Sequence, residues 1–212
     1  MTIKTYAISR SETTEWNAFV DQNDWATQAL NAEKWDNKED IPSKCIAIYY
    51  VVDKNEKTIT NKLYVTTYDP IYKQDFKKIN LHWIEKYFTV EPSDIHQLDH
   101  PEENILQPGG EMFFLVENNQ VVGTVVMVMK HGQCELGKLA IVDHLQSKGY
   151  SHPLMKEAIQ WAKDKKLPDI LILCSTLLAA PVRLYRKYGF ETIYEGKHPD
   201  YDRCDLVMKL TF

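Results

Sequence analysis

The order of strand-like and helix-like segments predicts a mixed α/β protein. From residue 62 onward the predicted order is β, α, α, β, β, β, α, β, α, β, β. Residues 112–129 show the alternation of a β-hairpin, and residues 151–165 and 178–188 show the apolar spacing of amphipathic helices. Apolar residues make up 44% of the chain and charged residues 26%, which is typical of a globular protein.

Length and charge exclude several classes of protein. The 212 residues allow one large domain with an extension, and the formal charge is -5. The longest apolar runs, Cys45–Val52 and Val121–Met129, are too short to span a bilayer, and the first ten residues lack the apolar stretch of a secretory signal. An acidic chain without a basic block is a poor candidate for nucleic-acid binding. We therefore expect a cytoplasmic protein that binds neither membrane nor nucleic acid.

The cysteines indicate neither disulfides nor a metal site. All four are scattered, without a C-x-x-C pair and without a histidine at zinc-ligand spacing. We expect no bound metal and a reducing compartment.

The segment up to residue 142 predicts seven strand-like stretches and three helices in the following order. They are a strand over Thr2–Ser9, a helix over Glu12–Val20, strands at Cys45–Val52 and Thr58–Val65, a further strand-like stretch at Leu63–Thr67, a helix from Asp69-Pro70 to about Thr89, a short helix from Pro92, and strands at Met112–Val116, Val121–Met129 and Cys134–Val142. Breaks are expected at Pro101 and Pro108-Gly109-Gly110, and a turn at Glu117–Gln120.

The last third predicts two helices and three strands. They are a helix over Ser151–Lys165, a buried strand over Asp169–Cys174, a helix over Leu178–Tyr188 ended by Gly189, and strands at Phe190–Tyr194 and Leu206–Leu210. All eight glycines follow residue 108. Unusual backbone geometry, and with it function, is therefore expected in the second half.

The loop between the predicted strand Cys134–Val142 and the predicted helix Ser151–Lys165 is a candidate anion-binding site. It reads Gln146-Ser147-Lys148-Gly149-Tyr150-Ser151. A loop that enters a helix presents unpaired backbone N–H groups at the positive end of the helix dipole, and Gly149 lets a ligand approach the backbone. Taken alone, this segment is a weak signal and is better explained as an ordinary capped helix after a polar turn.

A second motif, Leu184-Tyr185-Arg186-Lys187-Tyr188-Gly189-Phe190, follows a buried strand about thirty residues later. Together with Leu139-Ala140-Ile141-Val142 leading into Q-x-x-G-x-S, it resembles the acetyl-CoA-binding core of the GNAT superfamily of N-acetyltransferases. The resemblance covers roughly residues 62–212. It implies a GNAT-like, mostly antiparallel twisted sheet flanked by helices, with acetyl-CoA as co-substrate.

The resemblance also implies roles for single residues. Tyr185 matches a tyrosine that protonates the departing thiolate, and Glu135 a glutamate that takes the proton from the attacking amine. Main-chain groups of Leu139, Ala140 and Ile141 would hold the pantetheine arm and the acetyl carbonyl. The loop would bind the pyrophosphate through the residues Gln146, Ser147, Lys148, Gly149, Tyr150, Ser151 and His152.

Three positions depart from the family pattern. Ser151 replaces the last small residue of Q-x-x-G-x-G/A, Leu178 replaces a frequent asparagine that contacts the cofactor, and Asp143-His144 stands where a proline is usual. The anion site survives these changes because it consists mostly of backbone. Structural explanations also stay open, since Tyr185 could be only a core residue and Glu135 could simply face water.

The function predicted on this basis is acetyl transfer from acetyl-CoA to a primary amine by direct nucleophilic attack. The acceptor is a small-molecule amine or a protein amine, and a homodimer is left open. The alternative is a catalytically inactive GNAT fold that binds acyl-CoA as a sensor or scaffold. Residues 61–212 would form the GNAT domain. Residues 1–60 would be an N-terminal extension, interpreted as a degenerate half-module covering one edge of the sheet.

Overall fold

The structure is a computed structural model that describes residues 3–9, 22, 41–53, 58–199 and 201–212. Its strands are β1 (Ile3–Ser9), β2 (Cys45–Asp53), β3 (Thr58–Thr67), β4 (Glu111–Glu117), β5 (Gln120–Lys130), β6 (Gln133–Ile141), β7 (Asp169–Cys174), β8 (Glu191–Glu195) and β9 (Leu206–Thr211). Its α-helices are α1 (Lys73–Tyr87), α2 (Pro92–Asp99), α3 (Ser151–Asp164) and α4 (Ala179–Lys187). The predicted helix Glu12–Val20 lies outside the described residues.

The strands form a mixed sheet in the order β1-β2-β3-β4-β5-β6-β7-β9-β8. Pairing is antiparallel from β1 to β4 and in the pairs β7–β9 and β8–β9, whereas β6 and β7 run parallel. The parallel pair is joined by a crossover through α3, as parallel neighbours require. The predicted mixed, mostly antiparallel sheet with flanking helices is confirmed.

Three details differ from the expectations. The segments Thr58–Val65 and Leu63–Thr67 are one continuous strand, so the boundary drawn at residue 60 falls inside β3. The hairpin turn is only two residues, Asn118 and Asn119, both with positive φ, because that geometry matches the twist of the flanking strands. The expected break at Pro101 is present, since α2 ends at Asp99, but a π-helical turn over Glu102–Leu106 that was not predicted follows it.

The chain divides into two compact units. The first comprises residues 1–79, 113–124 and 139–157. Its core includes Phe114, against which the rings of Tyr68, Tyr72 and Phe76 pack at centroid distances of 6.3, 5.3 and 6.4 Å. This cluster holds the start of α1 on strands β3 and β4 within the unit.

A glycine in the first unit permits close packing beneath the loop that precedes α3. A Cβ at Gly123 would lie 3.1 Å from the carbonyl oxygen of Ala140 and 3.2 Å from Cδ1 of Leu154. Strands β5 and β6 and helix α3 therefore approach at a point where no side chain fits without displacement.

The second unit comprises residues 80–112, 125–138 and 158–212. Its buried apolar side chains are Ile84, Leu98, Ile105, Met112, Val125, Val126, Met127, Cys134, Leu136, Ala158, Ala162, Ile170, Ile172, Val182, Tyr185, Phe190, Cys204, Leu206, Val207 and Met208. Strand β7 pairs with β9 from Asp169–Thr211 to Cys174–Leu206. Within the described residues, no helix is long and apolar enough to cross a membrane.

Candidate active site

The loop before α3 presents a row of backbone donors. Ser147 and Gly149 have φ of 61° and 88°, so the chain turns through the left-handed region twice before the helix begins at Ser151. Within the described part of the chain, the N–H groups from Ser147 to Ser151 have no recorded acceptor. Successive N–H groups in such a turn form a concave anion-binding surface, and the dipole of a 14-residue helix adds positive potential there.

Two of the predicted loop residues already use their polar groups within the chain. The N–H of His152 donates to the carbonyl oxygen of Gly149 at 3.0 Å. The side-chain amide of Gln146 donates to the carbonyl oxygen of Ile141 at 2.9 Å and to Asp143 Oδ1 at 3.0 Å. The side chain of Gln146 therefore closes the turn between β6 and the loop.

Strand β6 changes conformation just before the predicted pantetheine segment. Lys138 has φ of 50°, unusual for a non-glycine residue in a strand and indicative of a local bulge. Among the residues that the structure describes, β6 pairs in parallel with β7 only at Glu135 and Leu171, upstream of this bulge. Beyond it, the N–H of Val142 donates to the carbonyl oxygen of Val122 at 3.0 Å. The chain is thus hydrogen-bonded to β5 directly after Ile141.

Glu135 lies partly buried on β6, in the second unit. Burial raises the pKa of its carboxyl group, and the positive charges of Lys130 and Lys138, with His198, oppose that rise without cancelling it. The thiols of Cys134 and Cys204 also lie close enough to interact electrostatically with this carboxylate. A carboxylate with a raised pKa is a better proton acceptor than an exposed one.

An ion-pair network near Glu135 joins β6 to α2. Asp94, only 3% exposed, accepts from Lys138 at 3.3 Å and from Arg203 at 2.5 Å, and the N–H of Glu91 donates to its other oxygen. Burial acts to raise the pKa of Asp94, but the Arg203 hydrogen bond, the Lys138 charge and the Glu91 N–H together hold it below its usual value. Burial also lowers the pKa of Lys138, and Asp94 opposes that change.

Tyr185 lies on the buried face of α4, also in the second unit. Its ring packs against Phe190 at a centroid distance of 6.0 Å. Burial, and next the nearby Cys174, raise the pKa of its hydroxyl. Tyr185 therefore remains protonated throughout the physiological pH range, as a proton donor must.

The structure distributes the predicted residues between the two units. Leu139, Ala140, Ile141 and the loop Gln146–His152 all belong to the first, and Glu135 and Tyr185 belong to the second. Sequence reasoning missed Asn61 and Glu117, which contact the loop through the Tyr150 side chain. No local motif marks them, because they lie 89 and 33 residues before Tyr150 in the chain.

Comparison with known proteins identifies the family. Residues 77–190, just over half of the chain, match the profile described as Acetyltransferase (GNAT) family. The chain therefore belongs to the GNAT acetyltransferases, which places it among the acyltransferases. A comparison with curated protein sequences returned no match.

Solved structures with the same fold agree with this assignment. An acetyltransferase of the GNAT family from Staphylococcus aureus Mu50 has a TM-score of 0.64 at 18% identity, over 70% of this chain and 98% of that one. An acetyltransferase from Streptococcus agalactiae gives 0.61 at 16%, over 71% and 98%. The PaiA N-acetyltransferase from Thermoplasma acidophilum, in complex with coenzyme A, gives 0.55 at 13%, over 71% and 99%. At these identities the likeness establishes the fold.

Replacing Asp94 by Asn should strongly destabilise the fold. It leaves Lys138 and Arg203 without their buried counter-charge, which typically costs about 3–5 kcal/mol. Because the folded-state pKa of Asp94 lies below the unfolded one, its contribution is complete above the unfolded pKa near ~3.9 and is lost as pH falls from there through the lower, folded-state pKa. In urea unfolding, the difference between the variant and wild type should therefore be large at pH 7 and should shrink progressively as pH is lowered below the unfolded pKa.

Asp202→Asn is the matched control. Its carboxylate pairs with Lys197 at 3.2 Å but is 85% exposed, so the loss should stay below about 1 kcal/mol. Equal effects of the two substitutions at pH 7 would contradict the role assigned to the Asp94 network.

Proposed function

We propose that this protein transfers the acetyl group of acetyl-CoA to a primary amine by direct nucleophilic attack. The observation that carries this proposal is the row of backbone N–H groups from Ser147 to Ser151 at the start of α3, which make no backbone hydrogen bond to any residue that the structure describes. Such donors suit a pyrophosphate, and acetyl-CoA supplies both that group and an activated acetyl thioester. The solved relative from Thermoplasma acidophilum, which contains coenzyme A, supports the choice of cofactor.

Main-chain groups at the end of β6 would orient the acetyl group. Attack on a thioester places negative charge on the carbonyl oxygen, and fixed N–H groups stabilise that charge without reorganisation. We assign this role to the backbone of Leu139, Ala140 and Ile141, which the bulge at Lys138 precedes. Since transfer is direct, no protein nucleophile is required.

Glu135 would remove the proton from the attacking amine, directly or through water. An alkylammonium has a pKa near ~10.4 and is not nucleophilic until deprotonated. The raised pKa of Glu135 suits this task. Tyr185 would donate a proton to the departing thiolate, whose own pKa is near ~8.5, so this donation assists the reaction without being obligatory.

The acceptor is proposed only as a class: a small-molecule amine or an amine of a protein. The proposed location of the reaction is the cytoplasm, and the protein would act as a monomer or a homodimer. The competing proposal is a GNAT fold that binds acyl-CoA without turnover, favoured by Leu178 at the position of the frequent asparagine. Release of free thiol from acetyl-CoA, measured across a panel of amines, separates the two. Cofactor binding with no thiol release on any amine would favour the sensor.

Gly149→Glu should weaken CoA binding at least tenfold, equivalent to about 1.4 kcal/mol. The substitution puts a negative side chain where the pyrophosphate should meet the backbone, at a residue with φ of 88°. Isothermal titration with CoA measures the change. Gly132→Glu is the control, because Gly132 has φ of 81° in the β5–β6 turn and suffers similar backbone strain. If both variants bind CoA like wild type, the loop is not the phosphate site.

Glu135→Gln should lower kcat/KM by roughly 10²–10⁴-fold and remove its acidic limb. Only the ionised carboxylate accepts a proton, so activity in the wild type should fall as pH drops through the pKa of Glu135, which burial places above that of a free glutamate. Rates from pH 5 to 9 test this expectation. Glu191→Gln, at an exposed residue of β8, should leave the profile unchanged. Protonation of the amine itself also lowers kcat/KM in acid, so both proteins are compared with the same amine. An additional acidic inflection of wild type that persists in the Glu135 variant would exclude this residue as the base.

Tyr185→Phe should lower kcat at least tenfold while CoA affinity stays close to wild type. The ring and its packing on Phe190 remain, and only the hydroxyl is lost. Because the pKa of Tyr185 is raised above its ordinary value of 10, the reduction should be the same at every pH from 6 to 9. Tyr188→Phe, at the C-terminal end of the same helix, should retain activity. More than half of wild-type kcat in the Tyr185 variant would remove that hydroxyl from the mechanism.

A further inference from the structure

The loop before α3 is tied to the sheet by one side chain. Tyr150 lies between Gly149, with φ of 88°, and Ser151, the first residue of the helix. Its side chain is 4% exposed, and its hydroxyl donates to Glu117 Oε1 at 2.6 Å. Tyr150, the fourth of the five residues Ser147–Ser151, is therefore held by a hydrogen bond within the first unit.

The acceptor of that bond is itself fixed by a second donor. Glu117, at the end of β4, is 9% exposed, and its Oε1 also accepts from Asn61 Nδ2 at 2.6 Å. The register explains the contact: Glu117 pairs with Leu63, and Asn61 lies two residues from Leu63 on β3. Residues two apart on a strand share a face, so Asn61 and Glu117 are diagonal neighbours.

Hydrophobic packing alone does not explain a buried carboxylate at this place. Burying a charged group is costly unless hydrogen bonds satisfy it, and such groups contribute more to a defined conformation than to stability. Burial, and next the hydrogen bond to Glu117, raise the pKa of Tyr150 to about 12, so its hydroxyl remains a donor at any pH of interest. The arrangement defines where the loop lies.

We propose that Asn61, Glu117 and Tyr150 form a polar anchor that holds the N–H groups of Ser147–Ser151 in the conformation that binds the CoA pyrophosphate. The inference rests on the proposed function of the loop and assigns Asn61 and Glu117 as positioning residues. Asn61 precedes the family match at residues 77–190. A strand outside the matched segment would thus contribute to cofactor affinity.

The test compares binding of CoA with binding of S-acetyl-pantetheine, which lacks the pyrophosphate. Tyr150→Phe should raise the dissociation constant of CoA, measured by calorimetry, at least fivefold. Its dissociation constant for S-acetyl-pantetheine, measured by NMR titration, should stay within twofold of wild type. Asn61→Ala, which keeps the tyrosine, should weaken CoA binding in the same direction but less. Equal changes for both ligands, or none for CoA, would overturn the proposal.

Two further variants separate positioning from general damage. Glu117→Leu removes the acceptor of both donors and should weaken CoA binding at least as much as Tyr150→Phe does. Tyr49→Phe removes a hydroxyl that donates to Glu157 Oε1 at 2.7 Å, further along α3, and should not change CoA affinity. Unchanged CoA affinity in Glu117→Leu, or a loss in Tyr49→Phe equal to that of Tyr150→Phe, would refute the anchor.

A ligand-free readout distinguishes failure of the anchor from failure of the proposed function. Backbone ¹⁵N order parameters for residues 147–151 should resemble those of rigid backbone, about 0.85, in wild type and Tyr49→Phe, and should fall in Tyr150→Phe. Unchanged order parameters in Tyr150→Phe would refute the anchor whether or not CoA binds. If wild-type protein does not bind CoA but the order parameters fall in Tyr150→Phe as expected, only the assignment of the ligand is refuted.

Discussion

Unsatisfied backbone donors at the start of α3 are the constraint on which the rest of the structure depends. A helix cannot pair its first N–H groups internally, and the left-handed turns at Ser147 and Gly149 leave further donors without an acceptor in the described part of the chain. Because Ser147 and Lys148 are exposed, water can satisfy these donors, and an anion can accept from several of them at once. Much of the first unit can be understood as support for the loop before α3: the glycine beneath it at Gly123, the Gln146 amide closing its entry, and the buried Tyr150 hydroxyl.

The second unit shows a different use of burial. Two of its carboxyl groups have pKa values shifted in opposite directions. Arg203 and Lys138 lower the pKa of Asp94, whereas burial raises the pKa of Glu135. Neighbouring carboxylates thus acquire different proton affinities from their surroundings alone. Environments that separate the pKa values of nearby groups are typical of acid–base sites. The Asp94 network is suited to structure, and Glu135 to proton transfer.

The family is shared with other acetyltransferases, whereas the acceptor of this chain is proposed only as a class. The backbone donors proposed for the cofactor need only a turn geometry and a helix end. They would therefore tolerate Leu178 and Ser151 in place of the residues that are usual in the family. The solved structures share the fold at 13–18% identity. Acceptor choice would depend on side chains, and those diverge at such identities.

The sequence by itself determined the order of the elements from residue 62 onward and the position of the loop between β6 and α3. It also gave both ends of the strand Asp169–Cys174 correctly. These features follow from periodicity, prolines and glycines, which act over a few residues. The sequence did not predict that the two overlapping segments Thr58–Val65 and Leu63–Thr67 form one continuous strand, β3. It also did not predict the left-handed backbone conformation of Lys138. Nor could it show that Asn61 and Glu117 meet Tyr150, or that Asp94 meets Lys138 and Arg203. These contacts join residues 33 to 109 positions apart, and strand register and burial, which only the folded chain establishes, decide them.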